Sequence, residues 1–467
     1  MMDTGSSDLW VSSGQKARMR FTNTTDIPVN ITYDIGSASG VIDFAEFTLG
    51  GYHVSSQVFL NINQKVDLPA FTEDNLDGVF GLSFSRLSVA NVALQRAWGN
   101  DTTLGRTALS NIFAHNSSIP NFITFLLGRL DDPDDIADGV FTIGEYADGY
   151  QDVEKAPKLS RFPPQLPVWG TLLDAMHVNG EAHTWKSVVP SLVHSVPNIT
   201  VPEGKAISVL DCGTTLPLLP SDAVDFIYGK IPGAISLNKT WIVPCSSSVN
   251  LTFTLGGQEY PIHPLDLTII SPQTFADGKN RTICMNSYQA GDSNVTLADA
   301  MLGMGFLRNV YASFNFGAKA ANGTITVEPF IQLLSTVDTD KMQADFIKSR
   351  REALAQFPPE ATLDQVKAEF ASDDDDRDGR DSGSGESLLA DGSGSDTSKV
   401  LDKINKFGPV VLGLLVGNAV IGLLLCMLAI ASAVRAGRAV GPMRTINPSY
   451  APVATKGLDM EDERYRD

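Results

Sequence analysis

One short motif occurs twice in the first 335 residues, and it constrains the fold more than any other feature of the sequence. The first copy is Asp3–Ser7 (D-T-G-S-S), and the second is Asp211–Thr215 (D-C-G-T-T). Each copy places an acid, a small side chain and a glycine before residues with hydroxyl groups. A single Asp-Thr-Gly is common in turns. Two copies, one in each β-rich half, predict duplicated lobes that could bring Asp3 and Asp211 together at a shared cleft.

The sequence around the two motifs is typical of an all-β protein. Residues 1–335 contain short apolar runs such as Gly40–Gly51 and Leu251–Gly257, separated by turns rich in Gly, Asn, Asp and Pro. A β-rich region of this length should divide into two lobes. We therefore predict an N-terminal lobe over residues 1–155 and a C-terminal lobe over residues 156–335.

If the two aspartates are neighbours, their chemistry is that of a coupled acid–base pair. Two carboxylates a few ångströms apart cannot both ionise at low cost, so one keeps a proton while the other stays charged. Such a pair can hold a water molecule, deprotonate it and donate a proton to a carbonyl oxygen or a leaving amine. Gly5 and Gly213 would let the backbone approach closely. The hydroxyls of Ser6 and Thr214 could donate to the carboxylates.

The composition excludes several other classes of protein. The 467 residues include 54 acidic and 35 basic side chains, for a formal net charge of −19. This balance argues against nucleic acid as a partner, because nucleic acid needs a basic surface. The four cysteines and six histidines show neither the spacing of a zinc site nor a His-Glu-x-x-His motif. We predict no metal ion and no cofactor.

The C-terminal part of the chain has a different organisation. Apolar residues at helical spacing predict a helical neck over residues 336–371. Residues 372–406 are rich in Asp, Gly and Ser and predict a flexible, self-repelling stalk. Residues 407–434 form a run of 28 residues without a charge, and a helix of that length, ~42 Å, exceeds the ~30 Å hydrocarbon core of a membrane. We predict a transmembrane helix there and a cytoplasmic tail over residues 435–467.

The orientation of the predicted span follows from the N-glycosylation sequons. Basic residues flank the span on both sides, so they do not decide it. All ten Asn-x-Ser/Thr sequons precede the span. They predict a single-pass type I membrane protein whose residues 1–406 are extracellular or luminal, at the cell surface or in a vacuolar or secretory membrane. The predicted glycosylation sites are Asn23, Asn30, Asn100, Asn116, Asn198, Asn238, Asn250, Asn280, Asn294 and Asn322.

Taken in order, several motifs between residue 3 and about residue 330 resemble those of the pepsin-like aspartic proteases. Asp3–Trp10 is similar to the family's first active-site motif, and Asp211–Thr215 resembles the second. Residues 31–37 resemble the mobile hairpin called the flap. Asp77–Leu82 and Leu302–Tyr311 are similar to two further family segments. The resemblance implies a mainly β, bilobal acid-protease fold, and the sequons, stalk and span suggest a fungal-type, surface-anchored member.

The resemblance also implies roles for individual residues. It makes Asp3 and Asp211 the catalytic pair, supported by Thr4, Gly5, Ser6, Cys212, Gly213 and Thr214. The residues implied for the flap and for substrate binding are Tyr33, Gly36, Ser37, Trp10 and Thr215. In the family, the flap tyrosine meets the tryptophan that Trp10 matches, although Tyr33 could also be ordinary cross-strand packing and Trp10 plain core. The resemblance implies a disulfide between Cys245 and Cys284, which suits an oxidising compartment. Two buried free thiols are the alternative.

Two departures from the family pattern affect what we expect. Cys212 stands where the family has Thr or Ser, and a thiol is a weaker donor than a hydroxyl. We therefore expect the hydrogen bonds that interlock the two motifs to be strong from Thr4 and weak from Cys212, with reduced rigidity or stability. The first motif begins at residue 3, and the segment from Asp3 to Tyr33 is short for the family. We expect an N-terminally truncated chain that lacks the strand delivering Asp3 to the cleft and is poorly active as written.

The leading interpretation is a monomeric aspartic endopeptidase acting on protein or peptide substrates. It would cleave peptide bonds flanked by apolar residues at acid pH, with water activated between Asp3 and Asp211. One alternative is a catalytically impaired, pepsin-like binding or decoy protein at the cell surface. Another is a structural glycoprotein that displays glycans on a stalk, against which the paired motifs argue.

Overall fold

The computed structural model describes much of the chain before residue 372. The described ranges are 1–12, 20–33, 36–66, 68, 76–100, 102–116, 118–129, 139–189, 199–237, 239–291, 298–320 and 324–371. They belong to one compact unit, Met1–Leu414. The predicted stalk, membrane helix and tail lie outside the described residues. Within the described ranges, no helix has the length and apolar character needed to cross a membrane.

Strands dominate the described residues, so the prediction of a mainly β protein is confirmed. The first thirteen strands are β1 (Met2–Asp3), β2 (Leu9–Ser12), β3 (Phe21–Thr32), β4 (Ser37–Leu49), β5 (Tyr52–Val66), β6 (Gly78–Gly81), β7 (Phe122–Leu126), β8 (Val140–Ile143), β9 (Leu159–Ser160), β10 (Gly170–Leu173), β11 (Ala175–Val178), β12 (Glu181–His183) and β13 (Ala206–Leu210). The next thirteen are β14 (Leu218–Leu219), β15 (Ile235–Leu237), β16 (Thr240–Val243), β17 (Leu251–Leu255), β18 (Gln258–Ile262), β19 (Thr268–Thr274), β20 (Asn280–Asn286), β21 (Gln289–Ala290), β22 (Ala300–Leu302), β23 (Val310–Asn315), β24 (Ala318–Lys319), β25 (Ile325–Val327) and β26 (Phe330–Ser335).

Six α-helices accompany these strands in the described part of the chain. They are α1 (Val89–Trp98), α2 (Ala108–His115), α3 (Ser221–Tyr228), α4 (Met304–Leu307), α5 (Met342–Leu354) and α6 (Leu363–Ala371). Short 3-10 turns cover Ser85–Leu87, Gln151–Lys155 and Pro264–Leu267.

The N-terminal half forms a six-stranded sheet with the order β1-β6-β2-β5-β4-β3. Its long strands β3, β4 and β5 are antiparallel neighbours, and β3 lies at the edge. Strand β1 is parallel to β6, with Met2 opposite Phe80 and Asp3 opposite Gly81. The expectation that no strand would deliver Asp3 is therefore wrong, because two residues paired with β6 are enough to place it.

The C-terminal half presents Asp211 in a comparable way. A five-stranded sheet has the order β10-β13-β22-β14-β21. All five residues of β13 are buried, as their apolar sequence (A-I-S-V-L) leads us to expect. Strand β13 runs parallel to β22, with Leu210 opposite Leu302. Asp211 follows directly, so each aspartate lies at the carboxyl end of a strand with a parallel neighbour.

A third sheet joins the two halves of the sequence. Its order is β8-β7-β23-β26-β9, and β7 pairs with β23, which is about 190 residues later in the sequence. Strand β7 is buried along its whole length, and Ile123 lies opposite Phe314. Trp169 packs edge-on against Phe314. The halves therefore share one hydrophobic core across this sheet.

The segment predicted as a helical neck is helical, but it packs against the body of the protein. Phe346 on α5 and Val366 on α6 are 0 % and 2 % exposed. Val366 joins an apolar cluster with Ile283 of β20. The Glu360 carboxylate accepts a hydrogen bond from the Cys245 amide at 2.8 Å. Burial of these apolar residues explains why the helices lie on the sheet formed by β15, β16, β20 and β19.

Candidate active site

Two backbone hydrogen bonds fix the strands that carry the aspartates. The amide of Leu82 donates to the carbonyl of Asp3 at 2.7 Å, and the amide of Asp211 donates to the carbonyl of Leu302 at 3.1 Å. Both contacts extend the parallel pairings of β1 with β6 and of β13 with β22. The two carboxyl groups are therefore held by sheet backbone rather than by a free loop.

The two carboxyl groups lie side by side and share one donor. The amide of Gly5 is 2.8 Å from Asp3 Oδ1 and 2.9 Å from Asp211 Oδ1. The amide of Gly213 donates to Asp211 Oδ1 at 2.8 Å. The structure thus brings together the two aspartates, which are more than two hundred residues apart in the sequence.

Hydroxyl groups hold the outer oxygens of the pair. Ser6 Oγ donates to Asp3 Oδ2, and Thr214 Oγ1 donates to Asp211 Oδ2 at 2.8 Å. These are the contacts that the repeated motif predicted for the two hydroxyl residues. With Oδ1 and Oδ2 both engaged, each carboxyl group is fixed in plane and its rotation is restricted.

Glycine is required beside each carboxyl group because of close approach. A Cβ at Gly5 would overlap the carboxyl group of Asp211, and a Cβ at Gly213 would overlap Asp3 Oδ1. The glycine of each motif therefore packs against the aspartate of the other motif.

Beneath the pair, Thr4 and Cys212 interlock the two motifs unequally. The buried Thr4 Oγ1 donates to the Leu210 carbonyl at 3.0 Å and accepts from the Cys212 amide at 3.0 Å. The Cys212 Sγ donates to the Met2 carbonyl at 3.4 Å. Burial, followed by the nearby Asp211 charge, raises the pKa of the Cys212 thiol to about 12, so it stays a protonated, weak donor.

The environment of the pair favours a shared proton. Burial, and secondly the charge of Asp3, raise the pKa of Asp211 well above its ordinary value, while the hydrogen bond from Thr214 opposes this rise. Asp3 and Asp211 are both buried, each with 5 % of the residue exposed. A single proton on the pair leaves one acid and one base at the same place.

The residues predicted for the flap form a hairpin over this site. Trp10 Nε1 donates to the Tyr33 hydroxyl at 2.6 Å. The Tyr33 amide donates to the Gly36 carbonyl at 3.0 Å, and Gly36 has a φ of 80°, which favours glycine. Ser37 pairs with Thr32 across the hairpin. Trp10 is also part of an apolar cluster, so its packing and its contact with Tyr33 coexist.

A cavity of about 840 Å³ adjoins the two carboxyl groups. About half of its lining side chains are apolar, and Tyr33 and Thr215 also line it. The walls include Leu68, Val79, Leu87, Val89, Val168, Val209, Leu216, Leu218 and Met301.

One functional-site residue was missed by the sequence reasoning. Asp8 lines the same cavity and is 6 % exposed. Its carboxylate accepts hydrogen bonds from Ser88 Oγ at 2.7 Å and from the Val89 and Ala90 amides at 2.7 and 3.1 Å. It therefore anchors the start of α1, where an anion is favoured. Asp8 lies within the Asp3–Trp10 motif, but its contacts with α1 depend on a helix about 80 residues away in the sequence.

The remaining predicted site residues are distributed over the body. Cys245 and Cys284 form a buried disulfide with an S–S distance of 2.09 Å. Asn116 is half-buried, and its amide donates to the Ile112 carbonyl at 2.8 Å.

In the described ranges, no group of His, Cys, Asp and Glu is arranged to hold a metal ion. The exposed sequon residues are Asn23, Asn30, Asn100, Asn250 and Asn280, and those outside the described residues are Asn198, Asn238, Asn294 and Asn322.

Comparison with known proteins identifies the class of this site. The family model described as eukaryotic aspartyl protease matches residues 1–111 and 171–323, more than half of the chain. The chain therefore belongs to the eukaryotic aspartyl protease family, and its class is that of an aspartic protease. The match ends before α5 and α6, which lie beyond residue 323.

Several curated relatives have low identity but long matches. The "Probable aspartic-type endopeptidase CTSD" of Arthroderma otae is 24 % identical over 329 residues, covering 68 % of this chain and 75 % of that protein. The "Major aspartyl peptidase 1" of Cryptococcus neoformans is 24 % identical over 355 residues, covering 68 % of this chain and 64 % of that protein. "Cathepsin D" of Rattus norvegicus is 24 % identical over 319 residues, covering 62 % of this chain and 68 % of that protein.

Proposed function

We propose that this protein is an aspartic endopeptidase in which Asp3 and Asp211 activate a water molecule. The observation that carries the proposal is the Gly5 amide within 2.9 Å of both carboxyl groups, which holds them as one acid–base pair. The ionised carboxylate takes a proton from water as the water oxygen bonds to the peptide carbonyl carbon. The protonated carboxyl group gives its proton to the carbonyl oxygen. The product of these two steps is a tetrahedral gem-diol intermediate. When it collapses, the pair gives a proton to the leaving nitrogen, one hydroxyl of the diol returns a proton to the pair, and the C–N bond breaks, so the pair ends with one proton as it began.

The lining of the cavity supports a preference for substrates with apolar residues on both sides of the scissile bond. On one side, Val79 of β6 and Val89 of α1 face the cavity, and on the other Val209 of β13 and Met301 of β22 do so. This arrangement supports a two-lobed body with the substrate between the lobes. Tyr33 on the flap hairpin would cover the bound peptide. The protein would act as a monomer, since the residues of the site come from one chain.

An acidic working range follows from the need for one proton on the pair. Loss of that proton at higher pH would leave two neighbouring charges and no acid for the carbonyl oxygen. Burial of Asp211 favours the singly protonated pair. We therefore expect a bell-shaped dependence of kcat/KM on pH with its maximum in the acid range.

Cleavage of a denatured protein at pH 3–5, with and without a statine-type inhibitor, tests this function. Asp211→Asn removes one member of the pair and should abolish inhibitor-sensitive cleavage. Asp148→Asn makes the same chemical change at an exposed aspartate and serves as the control. Cleavage that survives in Asp211→Asn would contradict the mechanism. Inhibitor binding without any cleavage would favour the binding or decoy protein instead.

We also propose that the protease body faces the secretory lumen or the cell exterior and is anchored by residues 407–434. The support is the uncharged run itself and the ten sequons on its N-terminal side. Protease protection in sealed vesicles tests this orientation. Residues 1–371 should be protected and residues 435–467 should be digested, and the reverse pattern would contradict it.

A further inference from the structure

One sequon asparagine lies at the wall of the cavity. Asn30 belongs to the sequon Asn30-Ile31-Thr32 on β3, the edge strand of its sheet. Its side chain is exposed, yet the residue lines the cavity together with Asp3 and Asp211. The side-chain amide of Asn30 forms no hydrogen bond with any residue that the structure describes. It is therefore available for attachment of a carbohydrate.

Asn30 differs in position from the other described sequon residues. Asn23, Asn100, Asn250 and Asn280 are also exposed, but they do not line the cavity. Asn30 precedes Tyr33 by three residues, or about 10 Å along an extended strand. A group attached there would begin on the flap hairpin, at the wall of the cavity that contains the two carboxyl groups.

We propose that Asn30 carries an N-linked glycan that narrows the access to the cleft and selects extended, flexible peptide segments over folded protein surfaces. This inference rests on the proposed endopeptidase function. An N-glycan is bulky and hydrophilic, so it occupies the solvent next to its attachment point. An unfolded segment can thread past it along the cavity, whereas a folded protein must bring a broad surface up to the flap.

The test compares glycosylated protein with variants that differ only at this site. The full chain is made in a glycosylating eukaryotic host, and the mass of the peptide containing Asn30 shows whether the sequon is occupied. Asn30→Gln removes the sequon. Asn250→Gln removes an exposed sequon away from the cavity. The readout is the ratio of kcat/KM for a folded protein substrate to kcat/KM for a short peptide.

We expect Asn30→Gln to raise this ratio at least threefold, and Asn250→Gln to change it less than that. In bacterially produced, unglycosylated protein the ratio should be the same with and without Asn30→Gln. An unmodified Asn30, or a glycan whose removal leaves the ratio unchanged, would overturn the inference. A ratio that responds to Asn30→Gln in unglycosylated protein would also overturn it, because the side chain would then be responsible.

A second readout separates this inference from the proposed function. A statine-type inhibitor is offered either free or linked to a folded carrier protein, and the two association rates are compared. Asn30→Gln should speed binding of the carrier-linked form at least threefold relative to the free form. If no variant cleaves any substrate, the proposed function fails, but the relative association rates still decide whether the glycan restricts access.

Discussion

Removal of the Thr4 hydroxyl is the most direct test of how the two aspartate motifs are held together. Thr4 is fully buried, and its Oγ1 forms hydrogen bonds of 3.0 Å with both the Leu210 carbonyl and the Cys212 amide. Both partners belong to the other half of the molecule. Thr4→Val keeps the shape and volume of the side chain but removes both contacts.

The expected loss of stability follows from the two polar groups that lose a partner. A buried donor or acceptor left unsatisfied costs about 1–3 kcal/mol. Two such groups give a predicted loss of about 2–6 kcal/mol, and valine adds no large cavity to this. The carboxyl groups would lose part of their support as well. A small displacement of a catalytic group is costly, so we expect kcat to fall by about tenfold or more.

Urea unfolding at constant pH measures the stability, and cleavage of a peptide measures kcat. The control is Thr254→Val on β17, where a half-buried threonine side chain forms no hydrogen bond within the described part of the chain. This control should change stability by less than about 0.5 kcal/mol. A loss below about 0.5 kcal/mol for Thr4→Val, with normal kcat, would refute the role assigned to this hydroxyl.

Three further predictions concern stability. Cys212→Thr replaces a weak donor with a hydroxyl and should raise the free energy of unfolding, measured with urea, by about 1 kcal/mol. An unchanged free energy of unfolding would contradict the inference that the thiol is the weaker donor. Phe346→Ala should cost about 3–5 kcal/mol and expose the C-terminal helices to proteolysis, whereas Ile347→Ala, at a side chain 46 % exposed, should cost far less. Folding raises the pKa of Asp211. Its contribution to the free energy of unfolding is therefore complete below about pH 4 and is lost as the pH rises through the raised pKa. The free energy of unfolding should therefore fall towards alkaline pH, and a slope unaltered by Asp211→Asn would contradict this.

Local patterns in the sequence predicted much of the site. The repeated motif predicted the two aspartates and the hydroxyls of Ser6 and Thr214 as site groups, because the acid, glycine and hydroxyl positions are contiguous in the chain. Short apolar runs between turn residues predicted a mainly β protein, since alternation and turn chemistry are local properties. The catalytic roles of these residues stay predictions until the variants are measured.

Other features could not be read locally, because they depend on partners far away in the sequence. Asp8 is an acid in a polar stretch, and only the placement of α1 makes it a buried helix anchor. The spacing of Phe346 predicted a helix, but not that this helix would pack onto the body. The strand that carries Asp3 is two residues long, and its existence depends on pairing with β6.

The sequence by itself determined which groups are present: two acids, each followed by glycine and a hydroxyl, and a sequon next to a tyrosine in a hairpin. The tertiary structure decided what those groups do to one another. Only the fold places the Gly5 amide between two carboxyl groups, raises the pKa of Asp211 by burial, and sets Asn30 at the wall of the cavity. The physical reason is that distance, burial and shared hydrogen bonds arise between segments that the chain order keeps far apart.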